Sequence, residues 1–265
     1  MKNILIIGVL LSGIAFASTG HHGKHPLVQA SSKEDGKSNI KLTYAGIRDG
    51  KVFVKLKNLK GEGIKQSDLQ TSHTKKVHIF IISDNLEYYR HIHPKAEGEI
   101  GLYSFEWNEF DKTRNYRIWA DVIHAKTGKQ EYLSFRMKGF NQEPIQETKN
   151  MSFTASNGMN FKISFDKRVK SDTDLTMKFT VSDKTGKPFH GLEPVMGAFA
   201  HAVGFSGGSE NIIHTHPLGD EVMEGKGGPD LFFHINFSKK GYTKLWLQVK
   251  IEGKDHFLPF GFEVK

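Results

Sequence analysis

A pattern that occurs twice constrains this chain more than any other feature. Residues 78–94 read HIFIISDNLEYYRHIHP and residues 201–217 read HAVGFSGGSENIIHTHP. In each, a histidine opens a short apolar run and a His-x-His-Pro closes it at the same spacing (91 − 78 = 214 − 201 = 13). The two stretches lie 201 − 78 = 123 residues apart. Self-similarity of this kind means one supersecondary unit built twice, so the repeat frames every local reading.

Around the repeat, apolar residues alternate with polar ones. Ile40, Leu42 and Tyr44 do so before an Asp49-Gly50 turn, and Val52, Val54 and Leu56 after it. Met159, Phe161, Ile163 and Phe165, then Leu175, Met177, Phe179 and Val181, repeat the pattern in the second half. Period two with Phe, Val and Ile marks half-buried strands, and no helical period is sustained. Seven strands are expected per half: near 39–46, 51–57, 76–83, 86–92, 101–108, 115–124 and 130–138, then near 158–166, 174–182, 199–206, 210–216, 230–237, 242–251 and 255–264. Trp119-Ala-Asp-Val aligns with Trp246-Leu-Gln-Val, and Tyr132-Leu-x-Phe135 with Phe257-Leu-x-Phe260. The expected fold is all-β: two tandem antiparallel seven-stranded β-sandwiches, immunoglobulin-like or cupredoxin-like, over 39–140 and 151–265. A linker at 141–150 joins them, within GFNQEPIQETKN.

The chain opens MKNILIIGVLLSGIAFASTG, with Lys2, an apolar run from Ile4 to Phe16, and Ala15-Phe16-Ala17 as a small-x-small cleavage site. That reads as a signal peptide over 1–17, since the run is too short to span a bilayer. Residues 18–38 are polar and rich in small side chains, and are expected to be a flexible, histidine-containing tail. Such a protein would be periplasmic or secreted, with no membrane span.

There is no cysteine. An exported chain without disulfides must fold on its core alone, which 265 − 17 = 248 residues can supply. The absence removes thiolate-zinc sites, blue-copper sites and cysteine nucleophiles together. Net charge is 37 − 29 = +8, or +7 once Lys2 leaves with the leader, and the lysines are scattered. A solvated, mildly basic surface follows, without a nucleic-acid motif.

The histidine spacing carries the chemistry. With a two-residue turn at Asp84-Asn85, His78 lies across from His91, and His93 lies two residues on, on the same face. A turn at Gly207-Gly208 likewise sets His201 across from His214, with His216 beside it. Opposed strand residues have Cβ atoms about 4.5–5.5 Å apart, so three imidazoles can share one metal ion. A fourth candidate stands five residues upstream in each half, His73 and Met196. The expected sets are His73, His78, His91, His93 and Met196, His201, His214, His216. A lone His-x-His-Pro is ordinarily only a surface feature. The paired third histidine and the repetition favour a metal, with the qualification that two duplicated halves are not independent observations.

Other histidines are read more plainly. His124 is a turn residue, His190 and His256 lie at loops or strand edges, and His234 is an outer-face residue or a partner of the ligands. His21, His22 and His25 form a loose cluster, and a free amine at Thr19 would make Thr19-Gly20-His21 a square-planar copper(II) site.

The stretches HTKKVHIFIISDNLEYYRHIHP and MGAFAHAVGFS…IIHTHP, with Tyr116, Trp119 and GYTKLW, resemble secreted or periplasmic bacterial β-sandwich proteins of the YtkA-like and cupredoxin-like kind. The resemblance implies copper or heavy-metal handling; Met196 departs from the first half's histidine. Imidazole ligation without thiolate suits copper, with zinc as the competitor, and the Met196 thioether tilts the second site toward copper(I). Met196 as an ordinary core residue is the alternative.

The leading expectation is an exported copper chaperone, buffer or resistance factor, serving a metal ion and another periplasmic metal-handling protein. The alternatives are a structural or adhesive two-domain module without metal, and zinc in place of copper. No nucleophile–base set, acidic pair or phosphate loop points to an enzyme. One consequence is testable from sequence alone. Met196→Leu keeps the volume and removes the sulfur, so it should weaken copper(I) binding at the second site and leave the first unchanged. Titration against a competing copper(I) chelator checks this, and unchanged affinity would make Met196 a core residue.

Overall fold

The computed structural model describes residues 27–30, 38–72, 74–219 and 221–265, with backbone alone for 27–30, His214 and His216. Strands β1 (Leu27–Ala30), β2 (Ile40–Arg48), β3 (Lys51–Asn58), β4 (Leu69–Gln70), β5 (Val77–Ser83), β6 (Tyr89–Ile92), β7 (Lys95–Ala96), β8 (Leu102–Glu106), β9 (Tyr116–His124) and β10 (Gln130–Lys138) make the first half. The second contains β11 (Ser152–Thr154), β12 (Asn160–Phe165), β13 (Asp174–Ser182), β14 (Ala200–Ser206), β15 (Asn211–His214), β16 (His216–Pro217), β17 (Asp230–Asn236), β18 (Gly241–Ile251) and β19 (Lys254–Val264). No α-helix occurs among the described residues, and no helix there is long and apolar enough to cross a membrane.

Each half packs two antiparallel sheets around its own core. In the first, β2-β3-β8-β7 faces β1-β10-β9-β5-β6, with β4 added on β9. In the second, β11-β12-β13-β17-β16 faces β15-β14-β18-β19. Leu42, Val54 and Phe105 meet Ile79, Ile118 and Phe135 in one core, and Phe161, Phe179 and Phe233 meet Ala202, Leu247 and Phe260 in the other. The all-β expectation holds, and every strand read from the sequence is present. The count of seven per half does not describe the sheets, because β1, β4, β7, β11 and β16 extend them. Strands of two to four residues carry too little alternation to be read.

One of these additions, β1, lies within the stretch 18–38. Leu27–Ala30 pairs antiparallel with β10, Leu27 against Lys138 and Ala30 against Phe135. The edge of β10 offers a row of unpaired backbone groups, and a short apolar segment satisfies it. Residues 1–17, read above as a signal peptide, and the histidines 21, 22 and 25 lie outside the described residues.

Strands β5 and β14 are buried at every position. Alternation fails there because both faces are covered. Val77, Ile79 and Ile81 point into the first core, whereas Phe80 and Ile82 join Leu86, Tyr89 and Trp119 against Val203, Phe205, Tyr242 and Trp246 of the second half. Near-continuous apolar runs are what doubly covered strands require. Tyr89 stacks on Trp246 at a centroid distance of 5.7 Å and meets Phe205 edge-on at 5.9 Å.

The joint between the halves is reciprocal. Glu87, in the loop after β5, accepts from Lys244 Nζ of β18 at 2.9 Å. Glu210, at the corresponding place after β14 (210 − 87 = 123), accepts from Arg117 Nη2 of β9 at 2.7 Å. Each half therefore sends a loop carboxylate to a buried base on the other half's central strand. Arg117 and Lys244 are 1% and 4% exposed, so their charges need these partners. Burial depresses the Arg117 pKa, and the Glu210 carboxylate opposes that shift. Ser209 Oγ adds a bond to Asp84 Oδ1 at 2.8 Å.

The joint should carry stability of its own. Phe205 is fully buried yet belongs to neither sandwich core. Phe205→Ala should cost about 3–5 kcal/mol in chemical denaturation. A cost below about 1 kcal/mol would mean that the joint is open in solution.

Candidate metal centre

The two hairpins depart from the sequence-based register in the same way. Strand β5 pairs Phe80 with His91 and Ile82 with Tyr89, so His91 stands opposite Phe80 and not opposite His78. In the second half Val203 pairs with His214, and His201 is not its partner. Both registers are two residues longer in the loop than expected. The first loop must bury Leu86 and deliver Glu87, and Ser83 Oγ accepts from the Glu87 and Tyr88 amides at 3.2 and 2.9 Å. The second must deliver Ser209 and Glu210, with Gly207 and Gly208 both in the left-handed region (φ 59° and 71°). A shift of two keeps every side chain on its face, whereas a shift of one would have reversed it.

His78, His91 and His93 consequently converge on the joint face, with one ligand nitrogen from each within 4.8 Å of the others. His78 Nδ1 lies 3.2 Å from His91 Nε2 and 3.1 Å from His93 Nε2. His78 and His91 are buried, at 2% and 4% exposure, and His93 is half-buried.

Hydrogen bonds on the far side of two rings settle their tautomers. His78 Nε2 is 2.8 Å from the Ser72 carbonyl, which only accepts, so Nε2 carries the proton and Nδ1 a lone pair. His91 Nδ1 is 3.2 Å from Gln248 Oε1 of the second half, so Nδ1 donates and Nε2 keeps its lone pair. With both rings neutral, two lone pairs face each other at 3.2 Å. That arrangement is repulsive unless a cation lies between them, either a proton or a metal ion.

The spacing fits a metal. Bonds of about 2.0–2.1 Å in tetrahedral geometry place ligand nitrogens about 3.3 Å apart. The separations of 3.1 and 3.2 Å meet that within a small adjustment. A carbonyl or carboxylate behind each imidazole is the usual support of a ligating histidine. Asp121 lies directly across from His78 on β9, is 3% exposed, and accepts from Gln130 Nε2 at 2.8 and 2.9 Å. Burial first, then the Asp121 charge, raises the pKa of Tyr132 beside it.

The second half reproduces part of this. His201 Nε2 is 2.9 Å from the Val195 carbonyl, as His78 is from Ser72. Val195 and Ala198 pair through two backbone hydrogen bonds, and so do Ser72 and Lys75. Met196 occupies the Val195–Ala198 turn, half-buried and in the left-handed region at φ 53°. His73 lies outside the described residues. The backbone registers His214 with Val203 on β14, but His216 with His234 on β17, in the other sheet of that half. The expected placement of His214 and His216 on one strand is not what the backbone shows: Thr215 keeps to the hairpin, its amide and hydroxyl both bonding Ala202 O at 3.2 and 2.7 Å, and the chain joins β17 from His216 onward. His234 is an exposed residue 3.4 Å from Asp174.

The two halves also meet at the centre itself. The His91 ring is 5.4 Å from the His201 ring, nearly perpendicular to it. What the histidine spacing alone does not reveal is Gln248 and Asp121. Each is the one charged or amide residue of a five-residue apolar run, LWLQV and IWADV, and that was the available signal.

A family model described as "Domain of unknown function (DUF8832)" matches twice, over residues 33–139 and 154–265, and the chain belongs to that family. No curated protein matches. Among solved structures, the chain is similar to the D00-D0 domain of intimin, at 11% identity and TM-score 0.24, over 85% of this chain and 99% of that one. It is also similar to a Parabacteroides merdae β-glucuronidase, at 10% identity and TM-score 0.22, over 85% and 24%. The FN1-FN3 domains of chicken CNTN1 give 7% identity and TM-score 0.21, over 85% and 66%. Likeness at these scores carries no argument about function.

The tautomers are directly observable. In the zinc-loaded protein, nitrogen NMR should find the proton on Nε2 of His78 and on Nδ1 of His91. The opposite tautomer at either ring would rule out coordination through the facing nitrogens.

Proposed function

We propose that this is an exported metal-binding protein that handles copper as a chaperone, buffer or resistance factor, with His78, His91 and His93 as its centre. The observation that carries the reading is the convergence of three ring nitrogens, His78 Nδ1 at 3.2 Å from His91 Nε2 and 3.1 Å from His93 Nε2. Burying His78 and His91 in the joint is unfavourable unless something uses their nitrogens, and a shared cation does. The N-terminal leader supports export, and the resemblance to YtkA-like and cupredoxin-like proteins supports copper. On this reading the halves are tandem sandwiches of immunoglobulin-like or cupredoxin-like connection. His73 is the fourth candidate of the first site, and Met196, His201, His214 and His216 make up the second candidate site.

Zinc is the second reading, favoured by the all-imidazole character of the described triad, since imidazole serves zinc as well as copper. No enzymatic activity is proposed. A structural or adhesive role without metal would leave the cluster as a proton-sharing histidine group.

Metal analysis decides among these. The exported protein should carry copper near one or two equivalents, with His78→Ala abolishing the first. Saturating metal at about a hundred times Kd should stabilise the fold by about 2.7 kcal/mol. Absence of copper and zinc after reconstitution would leave the structural reading, and zinc in preference to copper would replace the leading one.

A further inference from the structure

The three ligands of the centre come from the first half, but the residue that orients one of them comes from the second. Gln248 sits on β18 directly opposite His201 and has no exposed surface. Its Oε1 reaches across the joint to His91 Nδ1 at 3.2 Å. Its Nε2 is 3.4 Å from Asp255 Oδ2 on β19. A carboxylate only accepts, so Asp255 draws the amide N–H to itself and leaves the carbonyl for His91. The amide cannot reverse without setting its carbonyl against the carboxylate. His91 is thereby held with its proton on Nδ1 and its Nε2 lone pair aimed at His78 Nδ1, and the His201 ring packs against it at 5.4 Å.

The first half holds the same two groups in exchanged order. There the carboxylate Asp121 is on the central strand, opposite His78, and the amide Gln130 is on the next strand. In the second half the amide is central and the carboxylate outside. The exchange places a neutral acceptor, not an anion, behind His91.

We propose that Gln248 is the positioning residue of the metal centre, so that the two halves build one site between them and a bound ion clasps the joint. This rests on the metal reading of the triad. Ion binding and docking of the halves then favour each other: whatever loosens the Gln248–His91 contact weakens binding, and the ion resists separation of the sheets. The first half's ligand set is incomplete in orientation without the second.

The test uses the full chain, zinc(II) as probe, and a chromophoric chelator in competition. Gln248→Leu removes the acceptor at nearly constant volume and should weaken zinc by about 10–100-fold, the usual effect of losing such a support. Gln248→Glu combined with Asp255→Asn restores an acceptor behind His91 in the order found in the first half. It should recover affinity to within a few-fold of wild type. Nitrogen NMR adds a readout that a merely structural role would not move: His91 should keep its Nδ1 proton in wild type and in the double variant, and lose that preference in Gln248→Leu. Equal affinity of wild type and Gln248→Leu overturns the proposal while leaving the metal reading intact. Weakened binding in Gln248→Leu that the double variant does not restore overturns it too, because the effect is then one of packing. If wild type binds no zinc or copper, the metal reading falls and this proposal with it.

Discussion

Two sheets that already bury one face each in their own cores press their remaining faces together, and the rest of the molecule follows from that contact. Burial on both sides turns β5 and β14 into unbroken buried strands. It also forces every polar group on those faces to find a partner, because water is excluded there. The solution is reciprocal: Glu87 meets Lys244 and Glu210 meets Arg117, each carboxylate crossing to the opposite half. Such mutual exchange is the signature of an isologous contact between like surfaces, here within one chain.

Against that apolar and charge-paired background, histidines are conspicuous. His78, His91 and His201 are each at most 4% exposed, and an imidazole in that setting must have both nitrogens accounted for. Main-chain carbonyls of two equivalent turns, Ser72 and Val195, take the outward nitrogen of His78 and of His201. The inward nitrogen of His78 meets those of His91 and His93. Carbonyl acceptance on one side and converging lone pairs on the other is how a protein prepares imidazoles to hold a cation. The low-dielectric joint strengthens each of these interactions.

The halves are alike but not identical at the centre. An amide stands behind His91, whereas the matching position of the first half holds the Asp121 carboxylate. Met196 stands 123 residues after His73, so the second half's sequence has a thioether where the first half's has an imidazole.

Much of this was legible in the chain alone. Period-two alternation placed the long strands, because a half-covered strand must alternate. The repeat announced two like halves, and the His-x-His spacing put His91 and His93 on one face, since strand side chains recur every two residues. The hairpin register came out wrong by two, yet the faces survived, because an even shift preserves them. Tertiary structure alone decided the rest. Loop length depended on Glu87 and Glu210 having a partner on the other half, and no local turn signal encodes that. His216 pairs with His234 in the other sheet although Thr215, one residue earlier, still bonds Ala202 in the hairpin. Gln248 meets His91 across 157 positions of chain, a contact that exists only once two surfaces dock. Local periodicity determines which face a side chain occupies; only packing determines what that face will meet.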